Sequence, residues 1–203
     1  MQPHDLVWIK AQPAGLPDWA RPDWPVVVRR AEPPQPGLIP VGFRGPQRHQ
    51  RHAGWIDPAQ ALRVSTPEGL AAVARRTPPR AGWLPCLDAL LRVTPLLDVL
   101  PRPWGPTGSV GFALATGLSI LHAASDLDLR LQADTPLSAD ECAQLQAIKA
   151  QAGCRLDIQI DTGHGGFAFD EWAAGRPRVL LKTARGPWLV QDPWRVPPDE
   201  EAA

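Results

Sequence analysis

Residues Arg155-Leu156-Asp157-Ile158-Gln159-Ile160-Asp161 alternate polar and apolar without a break, which predicts a half-buried strand with its aspartates on the polar face. A second strand is expected from Ser125 to Leu131, where Leu127 and Leu129 point to a core and Asp126 and Asp128 to the opposite face. Short strand-like runs between proline-rich turns fill the first part of the chain: Asp5 to Ile9, Trp24 to Arg30, Leu38 to Phe43 and Gly54 to Ile56. Val179 to Lys182 and Trp188 to Val190 read as the last strands.

Helices are marked by caps and by apolar spacing. Ser65-Thr66-Pro67-Glu68 combines a hydroxyl cap, an early proline and an early glutamate, so a helix should run from there to about Arg76. Leu87, Leu90, Leu91, Val93, Leu96, Leu97 and Leu100 repeat at roughly helical spacing and predict a helix from Leu84 to Leu100, kinked or split at Pro95. A turn carrying Gly108-Ser109 leads into a short helix from Val110 to Thr116, with Gly117 as its C-cap. Ser138, with Glu141 three residues on, opens a helix to about Gln151, ended by Gly153. Phe169 to Ala174 is a short helix, and the acidic tail from Pro197 should fray. Thr77-Pro78-Pro79 divides the chain into a β-rich N-terminal domain, residues 1–79, and a second domain, residues 80–203, mixing strands and helices: an α+β protein.

Composition narrows the function. A chain of 203 residues, 44% hydrophobic and 21% charged, suits a soluble globular protein with one good core or two small ones. Its formal net charge of zero argues against nucleic-acid binding driven by overall charge. No run approaches the roughly 20 apolar residues of a membrane span, and the N-terminus lacks a signal pattern. Cys86, Cys142 and Cys154 share no metal-like spacing and read as reduced thiols of a cytoplasmic protein. Most of the 25 prolines precede residue 110, and tyrosine is absent, so no phenol serves as nucleophile or acid.

The candidate chemistry lies in the carboxylates. Asp126 and Asp128 repel each other unless a positive group lies between them, and a divalent metal carrying a polyphosphate supplies that charge. Asp157 and Asp161 compete as third carboxylate; Asp157, mid-strand between Leu156 and Ile158, is preferred. Gly108 and Ser109 suit a turn that brings backbone N–H groups and a hydroxyl to phosphate oxygens. Arg44, Arg48 and Arg51 cluster with His49 and His52 and suit phosphate contacts, while Lys182 reaches a phosphate or caps a strand end. The alternative for each is a solvated polar face. His49 and His52 lack an evident third metal ligand, His122 lies at a pocket edge, and His164 sits among glycines. Residues Gly105 to Gly111 lack the lysine of a P-loop, and Thr107 replaces the first glycine of a nucleophile elbow, which removes Ser109 as a hydrolase nucleophile.

The Gly-Ser and Asp-x-Asp pattern resembles the nucleotidyltransferase superfamily of the DNA polymerase beta type, with a longer gap between the two motifs than most members have. The run Trp104-Gly105-Pro106-Thr107-Gly108-Ser109-Val110-Gly111-Phe112-Ala113-Leu114-Ala115-Thr116-Gly117, followed by Ser125-Asp126-Leu127-Asp128-Leu129, closely resembles the malonate decarboxylase holo-acyl-carrier-protein synthases. Shorter pieces resemble them too: Pro3-His4-Asp5-Leu6, Val41-Gly42-Phe43-Arg44-Gly45, Leu180-Leu181-Lys182-Thr183 and Asp192-Pro193-Trp194. The resemblance implies a nucleotidyltransferase-like mixed sheet with flanking helices beside the smaller β-rich domain. It also implies transfer of phosphoribosyl-dephospho-CoA from 2'-(5''-triphosphoribosyl)-3'-dephospho-CoA to a serine of the apo acyl-carrier subunit of malonate decarboxylase, with release of pyrophosphate. The catalytic aspartate pair then falls on Asp126 and Asp128, which would hold Mg²⁺, with Asp157 as further ligand or base. Adenylylation of another acceptor from ATP, or a binding module without catalysis, are the competing expectations.

Overall fold

The alternating segment forms a strand that pairs in parallel with the one carrying Asp128, and the second half of the molecule is built around that pair. The computed structural model describes residues 1–47, 49–76 and 84–195. In chain order the elements are β1 (Leu6–Ile9), β2 (Val26–Val28), β3 (Ile39–Arg44), β4 (Arg51–Ile56), β5 (Ala61–Ser65), α1 (Pro67–Arg76), α2 (Pro85–Leu97), β6 (Trp104–Pro106), α3 (Gly108–Thr116), β7 (Leu127–Gln132), α4 (Ala139–Gln151), β8 (Leu156–Asp161), β9 (Gly166–Ala168), α5 (Phe169–Ala173), β10 (Val179–Thr183) and β11 (Gly186–Val190). Among the described residues there are two sheets, one ordered β4-β3-β2-β1-β5 and the other β11-β10-β9-β8-β7-β6. The first is antiparallel throughout. The second is mixed: β7 and β8 run parallel, joined through α4, and the remaining pairs are antiparallel. The protein is thus α+β, with a strand-rich N-terminal region.

Each sheet has its own core. Val7, Ile9, Val26, Val28, Val41, Phe43 and Ile56 fill the first. Leucines of α2 and β7, with Ile158 and Ile160 of β8, fill the second under α1, α2 and α4. A third cluster joins the halves, because Leu6 of β1, Leu70 of α1 and Phe112 of α3 are buried against one another. Charge joins them as well. Asp161 at the end of β8 accepts from Arg30, which follows β2, at 2.6 Å and from Arg130 of β7 at 2.9 Å. Arg130 also pairs with Glu68 of α1 at 2.8 Å.

Several expected boundaries shift. The division at residue 79 and the tail from Pro197 lie outside the described residues, as does Arg48. β4 begins at Arg51 rather than Gly54, so Arg51 and His52 belong to a strand and not to a basic loop. β7 begins at Leu127, two residues after the expected start, and Asp126 immediately precedes it. Gly108 and Ser109 occupy the first turn of α3 rather than a turn ahead of it. α2 passes through Pro95 without splitting and ends at Leu97. The proline falls in the last turn with its ring exposed. The strands β5, β6 and β9 had no periodic signal: β6 and β9 are three residues long, and β5 is largely exposed.

Where caps were legible they form as expected. Ser138 Oγ accepts from Glu141 N, and Glu141 Oε2 accepts from Ser138 N, a complete capping box on α4. Arg102 donates to the same carboxylate at 2.6 Å, and chiefly for that reason its pKa falls from 4.5 to about 2. A depressed carboxylate pKa contributes stability that is fully present above about pH 4.5 and lost as the pH falls toward 2. Glu141→Gln should therefore cost about 1–2 kcal/mol at pH 7, and thermal melts should show that deficit shrinking between pH 4.5 and pH 2. Asp161→Asn removes the carboxylate shared by the buried Arg130 and the half-buried Arg30; urea unfolding should show a loss of about 3 kcal/mol or more, and near-wild-type stability would contradict the joining role given to these ion pairs.

Candidate active site

The parallel register sets Asp128 of β7 directly beside Asp157 of β8. Their flanking residues Leu127, Leu129, Leu156 and Ile158 are buried in the second core, which fixes both aspartates on the opposite face. Asp126, one residue before β7, joins them, and one oxygen from each of the three half-buried carboxylates lies within 4.8 Å of the others. Among the described residues this is the cluster with the make-up of a metal site, and neither His49 nor His52 enters it. Three carboxylate oxygens are hard donors and suit Mg²⁺. Arg155 pairs with Asp157 at 3.0 Å, but the arginine is exposed and the contact is correspondingly weak. Asp161 cannot join them: it lies two residue pairs farther along β8 and is occupied by Arg30 and Arg130.

The first turn of α3 faces the carboxylates. Thr107 N donates to the Asp128 carbonyl at 2.8 Å, tying the helix start to β7. Gly108 adopts a φ of 57°, and a Cβ there would lie 2.0 Å from Asp128 Oδ2, so glycine alone lets the helix come this close. Thr107 makes no side-chain cap bond, so its hydroxyl does not occupy the N–H groups of the first turn, which lie at the positive end of the helix dipole. The side chain of Ser109 lies on the same wall.

A cleft of about 820 Å³ opens from this point between the two sheets. Arg44, Arg51 and Phe43 line it from the first sheet, and Ser109, Phe112 and the carboxylates from the second half. Arg44 and Arg51 are cross-strand partners on β3 and β4. The Arg44 guanidinium lies 4.4 Å from the Phe112 ring centroid, and its Nε is buried without a hydrogen-bond partner. Burial first, and then Arg51, lower its pKa to about 10, so it remains charged at neutral pH. A second lobe of about 820 Å³ carries Lys182, Arg176 and Glu171, and meets the first at His4, Thr107, Gly108, Asp128, Arg155 and Asp157. Lys182 is thus separated from Arg44 and Arg51 by the carboxylate centre. His52 and His122 line the first lobe, whereas His164 lines a separate cavity of about 450 Å³ beside Arg30 and Asp161.

His4 carries no periodic or spacing signal, and its one cue in the sequence is the Pro3-His4-Asp5-Leu6 run. It is the non-glycine residue at positive φ, 76°, among the described residues, and it lines both lobes. Its Nε2 lies 2.8 Å from Gln159 Nε2 and 3.3 Å from Arg30 Nη1. Burial, reinforced by Arg30 and Arg130, lowers its pKa from 6.5 to about 4, so the ring is neutral at pH 7.

The family model described as the phosphoribosyl-dephospho-CoA transferase MdcG N-terminal domain matches residues 2–67, the first sheet, and that of the MdcG C-terminal domain matches residues 70–193. Proteins named phosphoribosyl-dephospho-CoA transferase are similar over almost the full length. One from Pseudomonas aeruginosa is 42% identical across 96% of this chain and 94% of its own. One from Pseudomonas putida is 42% identical across 96% of each, and one from Klebsiella pneumoniae is 42% identical across 95% of this chain and 96% of its own. No solved structure matches. With both domain models matched in order and the similarity running nearly from end to end, the chain belongs to the phosphoribosyl-dephospho-CoA transferase family.

Proposed function

We propose that this enzyme transfers the phosphoribosyl-dephospho-CoA group from 2'-(5''-triphosphoribosyl)-3'-dephospho-CoA to a serine hydroxyl on the apo acyl-carrier subunit of malonate decarboxylase. The observation that carries the reading is the meeting of three carboxylates with the open N-terminus of α3 at the floor of a cleft lined by arginine and aromatic side chains. Anionic polyphosphate needs those N–H groups and cations. The first lobe, with Phe43 and Phe112 beside Arg44 and Arg51, suits the nucleotide end of the donor. Its three cysteines are free, which accords with action in the cytoplasm.

In the proposed reaction the serine oxygen attacks the phosphorus next to the ribose. The new P–O bond forms as the bond to pyrophosphate breaks, and the serine proton passes to a base, the role this reading gives Asp157 where it does not serve as metal ligand. Ser109 and the first turn of α3 orient the phosphates, and Arg44 and Arg51 hold the far end of the donor. Asp126 and Asp128, with Asp157 beside them, would hold Mg²⁺, which when bound offsets the charge on the phosphates. The nucleophile in this reading arrives on the partner protein.

Mass spectrometry of the apo carrier incubated with the enzyme, Mg²⁺ and the donor should show a gain equal to the phosphoribosyl-dephospho-CoA group. Asp126→Asn and Asp128→Asn should each slow that gain by about a hundredfold or more with circular dichroism unchanged. An adenylyl-sized gain from ATP alone would instead favour a different nucleotidyltransferase. Gly108→Ala drives a methyl into the Asp128 carboxylate, so it should abolish most transfer while lowering stability by only about 1–2 kcal/mol; activity within twofold of wild type would remove the close approach from the mechanism.

A further inference from the structure

The N-terminal segment places an unusual side chain at the centre of the cleft. His4 is half-buried, holds a left-handed backbone that histidine adopts only at a cost, and sits where the two lobes meet. Its backbone N donates to the Val28 carbonyl at 2.9 Å, which anchors it to β2. The ring is oriented by residues of both halves: Arg30 beside β2, and Gln159 on β8, two residues from Asp157 and on the same face.

Those two contacts favour one tautomer. An arginine N–H can only donate, so His4 Nε2, 3.3 Å from Arg30 Nη1, must be the acceptor. Gln159 then presents its amide N–H to the same lone pair at 2.8 Å. A neutral imidazole with Nε2 bare carries its proton on Nδ1. Among the described residues no acceptor meets that N–H, and Arg44 Nε is the buried side-chain polar atom left without a partner, so Nδ1 reaches open space rather than being enclosed. Asp161 holds Arg30 in place at 2.6 Å, and the same carboxylate anchors Arg130, so the orienting group is itself fixed. A neutral donor suits this position, where two lobes of the cleft meet. The charged groups acting on the ring are Arg30, Arg130, Asp161 and Lys182, so a histidinium would meet mostly like charge, whereas an uncharged N–H adds direction without that repulsion.

We infer that His4 is a substrate-binding residue, its Nδ1–H donating to an oxygen of the donor's triphosphate chain at the junction of the two lobes. The inference deepens the proposed transferase reading and rests on it for the identity of the ligand. The N-terminal domain then does more than wall the cleft, because it supplies a hydrogen bond at the reacting end of the substrate.

Two measurements test this. In ¹⁵N-labelled wild-type protein at pH 7, imidazole nitrogen–proton correlations should show His4 protonated at Nδ1 and bare at Nε2, and the Nδ1 signal should move when inorganic triphosphate and Mg²⁺ are added. A ring protonated at Nε2, or an Nδ1 signal indifferent to triphosphate, would overturn the assignment whatever the enzyme's true reaction. The second measurement is kinetic. His4→Gly accepts the positive φ but lacks the donor, and His4→Asn accepts it too while placing an amide N–H near the Nδ1 position. His4→Gly should lose about tenfold to a hundredfold in kcat/KM for the donor, the range of a hydrogen bond to a charged group. KM for the apo carrier should stay constant, and His4→Asn should recover most of the loss. Equal losses in both variants, or a loss shared with the carrier KM, would make His4 a packing residue and refute the contact. If wild-type enzyme transfers nothing from the triphosphoribosyl donor, the functional reading fails instead, and the triphosphate titration still decides the role of His4.

Discussion

Three carboxylates with oxygens inside 4.8 Å repel one another, and the surrounding structure is arranged to hold them there. The force that does so is burial of the opposite side of the same strands. Leu127, Leu129, Leu156 and Ile158 sit in the second core, and withdrawing any of them to relax the aspartates would expose apolar surface. Parallel pairing adds the register that sets Asp128 against Asp157, and the glycine at 108 removes the one Cβ that would push α3 away from them. The result is a concentration of negative charge whose natural complement is a cation, facing helix N–H groups whose natural complement is an anion. A metal–polyphosphate pair answers both demands at once.

The same sheet face is divided by charge along its length. At one end of β7 and β8 the carboxylates lie in the cleft. At the other, Arg130 and Asp161 are enclosed, with Arg30 and Glu68 completing a network that spans both halves of the molecule. An aspartate on β8 therefore has two different fates four residues apart. Asp157 is half-buried beside other carboxylates, whereas Asp161 is buried and neutralised by arginines. Docking of the first sheet causes the difference, since it brings Arg30 over one end of the strands and leaves the other uncovered.

That docking also composes the cleft. Arg44 and Arg51 come from the first sheet, the carboxylates and Ser109 from the second half, and His4 from the segment ahead of β1. Leu6, Leu70 and Phe112 weld the halves at the base, so the walls keep a defined separation. Phe112 serves twice, buried in the weld while its ring meets the Arg44 guanidinium in the cleft.

Local pattern alone determined much of this protein. Unbroken alternation identified β8, the Ser138 and Glu141 pair identified the start of α4, and leucine spacing identified α2. The Gly-Ser and Asp-x-Asp motifs marked the residues now grouped at the cleft floor, because those features depend on neighbours in sequence. Tertiary structure decided the rest. β5, β6 and β9 are too short or too exposed to leave a periodic trace, and exist because neighbouring strands satisfy their backbone groups. The choice between Asp157 and Asp161 rested on which one met Arg30, a contact between residues 131 positions apart. The contact of His4 with Gln159 likewise joins residues 155 positions apart, and no local pattern encodes a contact of that range.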